Sequence, residues 1–125
     1  MGTKSAEDGT MSGESHDRLL IGFARLLQQR YGGEIYLFGS RARGTAGADS
    51  DYDLVAVAKS FADVPRIRRA PDRYKLWREA GGWGISLDLH CYTPAEFRAE
   101  LAGLGYLGQA NRRGELIRID LHRAA

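Results

Sequence analysis

The sequence predicts a mixed fold of helices and strands, in the α/β or α+β class. An apolar stripe recurs at helical spacing after residue 15, short apolar runs at 35–38 and 54–58 have the length of strands, and residues 85–91 alternate between apolar and polar side chains. The elements follow the order α-β-(short α)-β-α-β-α-β. Apolar residues make up 43% and charged residues 27% of the 125, as in ordinary globular proteins.

The first half of the chain carries a helix and two strands. Ser15 is a candidate N-cap and Gly32-Gly33 a stop for a helix whose apolar stripe is Leu19, Leu20, Phe23, Leu26 and Leu27. Ile35–Phe38 forms a strand that runs into Gly39-Ser40 and a polar, glycine-rich stretch. The next run, Leu54–Ala58, is nearly all apolar, so we expect a central strand covered on both faces.

The third helix and third strand follow a basic stretch at 60–80. Pro71 suits the first turn of a helix that carries Tyr74, Trp77 and Arg78, and Gly81-Gly82 ends it. In the strand that follows, Ile85, Leu87, Leu89 and Cys91 share the apolar face, and Ser86, Asp88 and His90 share the polar face.

The clearest local signal begins at Thr93. Thr93 and Glu96 have the spacing of a capping box, Pro94 suits the first helical position, and Tyr92 and Phe97 stand where a hydrophobic staple would. Further helical turns hold Leu107 and Ala110 and end at Gly114, and a last short strand alternates through Ile117, Ile119 and Leu121.

Composition excludes several classes of protein. The net charge of +2 is too small to indicate a nucleic-acid binder, and the single cysteine, Cys91, excludes a disulfide scaffold within the chain. We expect Cys91 to be buried, which fits a reducing cytoplasm. No run approaches the 18 apolar residues that cross a membrane. Residues 1–14 are polar and are expected to be a disordered leader, with the domain at 15–125.

Three carboxylates form the candidate metal site. Asp51 and Asp53 are two residues apart at the entrance to a strand, so their side chains share a face. Two like charges held there repel each other, and a divalent cation between them would relieve that cost. Asp88 lies on the polar face of the third predicted strand, and it joins the pair if that strand lies beside 53–58. Hard oxygen ligands suit Mg²⁺, and three carboxylates can hold two ions for phosphoryl or nucleotidyl transfer.

A candidate phosphate site lies opposite the acids. Gly39 allows close backbone approach, and Ser40, at the start of a helical turn, offers its hydroxyl and backbone N–H groups to an anion. Arg41 and Arg43 follow, and they could contact phosphates or pair with the acidic loop. A phosphate cradle facing a metal site fits a nucleoside triphosphate.

Gly39-Ser40, ten residues, then Asp51-Tyr52-Asp53 resembles the signature of the DNA polymerase beta-like nucleotidyltransferase superfamily. Asp88 stands where that family has its third carboxylate. The resemblance covers roughly residues 16–121 and implies a mixed, mainly antiparallel twisted sheet flanked by helices. It is greatest to the minimal nucleotidyltransferase (MNT) proteins, some of which act as antitoxins that transfer AMP to HEPN-domain toxins.

The resemblance implies roles for these residues. Asp51 and Asp53 would hold two Mg²⁺ ions, and Asp88 would complete the catalytic metal site and help to deprotonate an acceptor hydroxyl. Ser40 and the backbone of Gly39 would hold the terminal phosphates, which leave as pyrophosphate. The expected reaction is the transfer of AMP from ATP to a hydroxyl. Because we expect no acceptor-binding domain in this chain, a HEPN-domain partner protein is the expected acceptor.

Other interpretations remain open from the sequence. The protein could neutralise a partner by contact alone, or it could act on RNA or a small molecule. The RNA hypothesis depends on a basic cluster, which is otherwise read as a solvated face: Arg66, Arg68, Arg69, Arg73, Lys75 and Arg78. His90 is more often structural than catalytic in such a position, and Trp77 and Trp83 are expected to be packing aromatics.

Overall fold

The computed structural model describes residues 14–47 and 50–121, with side chains from residue 18 onward. The leader proposed at 1–14 lies outside the described residues, except for Glu14, where the first helix begins. The elements are α1 (Glu14–Tyr31), β1 (Glu34–Phe38), α2 (Ser40–Arg43), β2 (Tyr52–Val57), a 3₁₀ turn (Lys59–Asp63), α3 (Arg66–Glu79), β3 (Leu87–Tyr92), α4 (Pro94–Ala102), α5 (Tyr106–Arg112) and β4 (Ile117–Arg118).

The four strands form one mixed sheet in the order β3-β2-β1-β4. β1 is antiparallel to β2 and to β4, and β2 is parallel to β3. The predicted class, a mixed and mainly antiparallel sheet flanked by helices, is confirmed. The prediction that β2 is central is also confirmed, since it lies between β3 and β1 and five of its six residues are buried.

The larger core lies between one face of the sheet and helices α1 and α3. The predicted stripe of α1 packs there, with Phe23 and Leu27 fully inaccessible and Leu26 half-buried. Tyr52, Leu54 and Ala56 of β2 meet this stripe, and the Trp77 ring packs edge-on against Phe23 with centroids 5.3 Å apart. Burying a large apolar side chain of this kind contributes roughly 1.5–3 kcal/mol, and this cluster contains more such side chains than the one on the opposite face.

The opposite face of the sheet carries the candidate site. Residues that pair across β1, β2 and β3 form rows of side chains on this face. The first row consists of Phe38, Asp53 and Asp88. Helices α4 and α5 cover the part of this face beyond that row, through the buried residues Phe97 and Leu107. The acids therefore stand at the end of this face that α4 and α5 leave uncovered, next to the apolar cluster of Val55, Val57 and Phe97.

The predicted start of α4 is confirmed in detail. The backbone N–H of Glu96 donates to the Thr93 hydroxyl, and the N–H of Thr93 donates to the Glu96 carboxylate, which completes the capping box. Pro94 holds the first helical position. Leu107 and Ala110 are buried on α5, as expected. The last strand is shorter than predicted, and only Ile117–Arg118 forms a ladder with β1.

Helix α3 departs from the sequence prediction, because it begins at Arg66 and contains Pro71 in its interior. Two arginines explain why the helix extends across the proline. Arg69 and Arg73 are 4% and 1% exposed, so the interpretation of the whole basic cluster as a solvated face is wrong for these two. Their tertiary contacts, described next, fix both turns that flank Pro71 and outweigh its low helix propensity.

Arg69 and Arg73 bind different parts of the protein. Arg69 forms an ion pair with Glu96 of α4, 2.6 Å between Nη1 and Oε1, and also donates to the Cys91 carbonyl of β3. The Arg73 guanidinium lies 4.0 Å from the centroid of the Tyr31 ring and 4.8 Å from that of Phe61. Both arginines therefore join α3 to the rest of the molecule.

Trp77 and Trp83 differ in their environment. Trp77 is 2% exposed, as predicted, whereas Trp83 is 73% exposed and contacts the Arg78 guanidinium, so the prediction of a packing role is wrong for Trp83. Trp83 lies in a glycine-rich turn, Gly81 to Gly84, in which Gly82 packs against Trp77 while the Trp83 side chain is exposed. Cys91 is buried as predicted, and burial raises the pKa of its thiol to about 11.

The outer edge of β3 is capped by side chains of α3. The Ser86 and Tyr92 carbonyls point toward β2 and accept hydrogen bonds from that side. Because successive carbonyls of a strand point in opposite directions, the carbonyls of the odd-numbered residues point away from the sheet. Trp77 Nε1 donates to the Ile85 carbonyl and the Tyr74 hydroxyl donates to the Leu87 carbonyl, each at 3.0 Å. Together with Arg69 on the Cys91 carbonyl, these bonds attach both ends of β3, and Ile85 just before it, to α3. Within residues 14–47 and 50–121, no helix is long and apolar enough to cross a bilayer.

Candidate active site

The loop between β1 and α2 brings the backbone against a carboxylate. Gly39 has φ +76° and ψ −157°, a conformation that is essentially confined to glycine. A Cβ at this position would lie 3.0 Å from Cγ of Asp53 and closer still to its Oδ2. Gly39 is therefore required both for the turn and for the approach to Asp53. Ser40 begins α2 directly beside this contact and is half-buried.

The parallel pairing of β2 and β3 sets Asp53 opposite Asp88. Asp51 lies one residue before β2 and is exposed. Burial raises the pKa of Asp53, and the charges of Asp88 and Asp51 raise it further, while His90 and Arg43 act in the opposite direction. The structure thus gathers the three predicted acids closely enough for their charges to interact.

His90 and the two arginines of α2 complete the surroundings. His90 Nε2 lies 3.4 Å from Asp88 Oδ2, so the histidine is the immediate neighbour of the third acid. Arg41 donates from Nη2 to the Ser50 carbonyl at 2.6 Å and stacks over the Tyr52 ring at 4.0 Å. Arg41 therefore contacts the loop that carries the acids, whereas Arg43 is exposed and close enough to Asp53 to influence its charge.

The donor set fits a divalent cation shared with a phosphorylated substrate. Among the described residues, no group of three or more histidine, cysteine, aspartate or glutamate side chains is gathered tightly enough to enclose an ion alone. Mg²⁺ does not need such a cage, since it usually takes one or two carboxylates and completes its shell with water and substrate phosphates. Asp53 and Asp88, with Asp51 beside them, supply those carboxylates, and the repulsion that raises the pKa of Asp53 is what a cation would relieve.

A cleft runs from the acids under helices α4 and α5. It has a volume of about 340 Å³, Asp53 and Asp88 stand at one end, and most of its wall is apolar. Phe38, Tyr92 and Tyr106 line it. None of the three belongs to a sequence motif that indicates function. The alternation of Tyr36 and Phe38 could have placed Phe38 on the face of the acids, but nothing local indicates that Tyr106 returns to it.

Comparison with known proteins gives one family. A family model described as a nucleotidyltransferase domain matches residues 20–104, which include Gly39, Ser40 and all three acids. A solved structure of a candidate nucleotidyltransferase from Sulfolobus solfataricus is 22% identical, with a TM-score of 0.48, over 73% of this chain and 85% of that one. A likeness at this level says nothing about activity. Among curated proteins, no relative matches the chain.

Proposed function

Since the chain belongs to the nucleotidyltransferase domain family, we propose that it transfers AMP from ATP to a hydroxyl group in a Mg²⁺-dependent reaction. The acceptor we propose is a partner protein, a HEPN-domain toxin that this chain would inactivate in the cytoplasm. The observation that carries the proposal is the register that sets Asp53 opposite Asp88, with Asp51 and Gly39 beside them. The partner rests on the resemblance of the Gly-Ser and Asp-x-Asp motifs to those of MNT proteins.

Each residue of the site has a role in the proposed reaction. Asp51 and Asp53 would hold two ions and Asp88 would complete the catalytic one. Bound Mg²⁺ would polarise the α-phosphate and neutralise charge on the leaving group. Gly39 N–H and Ser40 would hold the β- and γ-phosphates, with Arg43 as the nearby cation. Arg41 would keep the acidic loop in place through the Ser50 carbonyl.

The bond changes follow from this arrangement. The acceptor oxygen forms a bond to the α-phosphorus, and Asp88 takes the proton of the acceptor hydroxyl. The bond between the α-phosphorus and the oxygen bridging to the β-phosphorus breaks, and its electrons leave with pyrophosphate. His90, whose Nε2 lies 3.4 Å from Asp88 Oδ2, would receive that proton in turn.

The test is transfer of a labelled nucleotide. The purified chain is incubated with ATP labelled at the α-phosphate, MgCl₂ and the HEPN protein encoded in the neighbouring reading frame. We expect label on the HEPN protein, and loss of at least 100-fold in rate with Asp53→Asn, because metal-held charge stabilisation commonly contributes several kcal/mol. Asp63→Asn, an exposed carboxylate in the 3₁₀ turn, is the matched control and should transfer normally.

Two results would contradict the proposal. The absence of transfer to any hydroxyl acceptor would refute the enzymatic function. Protection of cells from the toxin by an Asp51→Asn plus Asp53→Asn variant would instead indicate neutralisation by contact.

For the RNA alternative, Arg69 and Arg73 are buried and cannot contribute to a docking surface, which leaves four of the six basic residues of that cluster.

A further inference from the structure

The cleft beside the acids has the features of a binding site for a flat, largely apolar group. Its volume of about 340 Å³ lies within the range of small-molecule sites, roughly 300–1,000 Å³. Its floor is formed by the next two rows of the sheet face, in which His90 pairs with Val55 and Tyr92 pairs with Val57. His90 and Tyr92 line the cleft. Its roof comes from α4 and α5, which contribute Glu100, Tyr106 and Leu107. Asp53 and Asp88 also line it.

Tyr106 is an aromatic residue whose position is not accounted for by packing of the core. It is the first residue of α5 and is 59% exposed, whereas its neighbour Leu107 is 5% exposed and anchors the helix. The core therefore does not require an aromatic side chain at 106. The ring nevertheless stands over the cleft, edge-on to Phe38 with centroids 5.6 Å apart. Residue 106 also lies outside the span 20–104 that the family model matches.

The two ends of the cleft differ in chemistry. The end at Asp53 and Asp88 suits a cation and the phosphates that share it, and the rest of the lining is mainly aromatic rings, with the Glu100 carboxylate among them. A ligand that fits both ends carries phosphates on one side and a planar ring on the other. A nucleoside triphosphate has this shape, and stacking on aromatic side chains is a general way of binding a base.

We propose, on the basis of the function proposed above, that this cleft holds the nucleobase of the donor nucleotide and that Tyr106 is the ring on which the base stacks. The phosphates then lie toward Gly39 and Ser40, and the base extends from the acids beneath α5. Tyr106 sets affinity for the nucleoside part of the donor and has no part in holding the phosphates.

The experiment separates the base from the phosphates. Binding of two probes to the full chain is measured by calorimetry in MgCl₂: a non-hydrolysable α,β-methylene analogue of ATP, and inorganic tripolyphosphate. Because Tyr106→Ala loses the stacking, its affinity for the ATP analogue should fall about 5- to 150-fold, and its affinity for tripolyphosphate should not change. Tyr106→Phe should bind both probes as the wild type does. Leu104→Ala removes an 87% exposed apolar side chain that does not line the cleft, and is the matched control.

The outcomes distinguish this inference from the function on which it rests. If the wild type binds both probes and Tyr106→Ala binds the ATP analogue normally, the inference is wrong and the proposed function stands. The inference is also overturned if Leu104→Ala loses as much affinity for the ATP analogue as Tyr106→Ala does, or if Tyr106→Ala loses as much affinity for tripolyphosphate. In either case the effect would not come from a base stacked on residue 106. If the wild type binds neither probe, both proposals fail.

Discussion

Replacement of Gly39 by alanine should damage the fold and the site together. Gly39 has a backbone conformation that side chains avoid, and its Cα faces the carboxylate of Asp53. Gly44, at the other end of α2, also has a positive φ of +77°, but nothing lies within 4 Å of the Cβ that alanine would add. The pair Gly39→Ala and Gly44→Ala therefore separates the cost of the backbone from the cost of the contact.

The expected magnitudes follow from these geometries. A left-handed conformation costs an ordinary residue roughly 1–2 kcal/mol, which is the full effect expected of Gly44→Ala. The conformation of Gly39 costs about 1–3 kcal/mol. Its Cβ also lies 3.0 Å from Asp53 Cγ and 3.2 Å from Asp53 Cβ, and overpacking of this kind adds about 1–3 kcal/mol. The sum for Gly39→Ala is roughly 2–6 kcal/mol.

Urea unfolding measures the free energies, and metal binding reports on the carboxylate. Because the new methyl group must displace Asp53, Gly39→Ala should lose most of its affinity for Mg²⁺ and nucleotide at temperatures where it is still folded. Gly44→Ala should retain that affinity. Equal unfolding free energies for the two variants, or normal Mg²⁺ affinity in folded Gly39→Ala, would refute the reasoning.

The remaining predictions concern α3, β3 and α4. The hydrogen bond from Arg69 lowers the pKa of Glu96 from 4.5 to about 2, so the stability that Glu96 contributes is fully present above pH 4.5 and is lost as the pH falls toward 2. Glu96→Gln should flatten the dependence of Tm on pH in that window, and an unchanged slope would contradict it. Tyr74→Phe removes the hydrogen bond to the Leu87 carbonyl and should lower the free energy of unfolding in urea by about 1 kcal/mol. An unchanged free energy of unfolding would show that the bond does not stabilise the fold. Cys91, whose pKa is raised by burial to about 11, should react with a thiol reagent at pH 8 only as fast as the protein unfolds.

The acids show how far sequence periodicity can predict a site. The spacing of Asp51 and Asp53 and the polar face of the third strand indicate three acids that can share one side of a sheet. Whether Asp88 lies beside Asp53 depends on the register between two parallel strands that are 30 residues apart in the chain and are joined through α3, which packs on β3 and bonds to the Ile85 and Leu87 carbonyls. Such tertiary contacts leave no local signal in the sequence.

The buried arginines of α3 show the opposite case, in which the local pattern misleads. A stretch with many arginines and two prolines is typical of a solvated face. The partners that bury Arg73 are Tyr31 and Phe61, and the partner that neutralises Arg69 is Glu96, all distant in the sequence. The capping box at Thr93 was predictable in full because all of its atoms lie within four residues.

The bonds from α3 to the outer carbonyls of β3 have a consequence for assembly. An edge strand with free acceptors is a template on which another chain can add a strand, in a partner or in an aggregate. The Ile85, Leu87 and Cys91 carbonyls already accept bonds from Trp77, Tyr74 and Arg69. A protein that added a strand at this edge would therefore first have to break these bonds from α3.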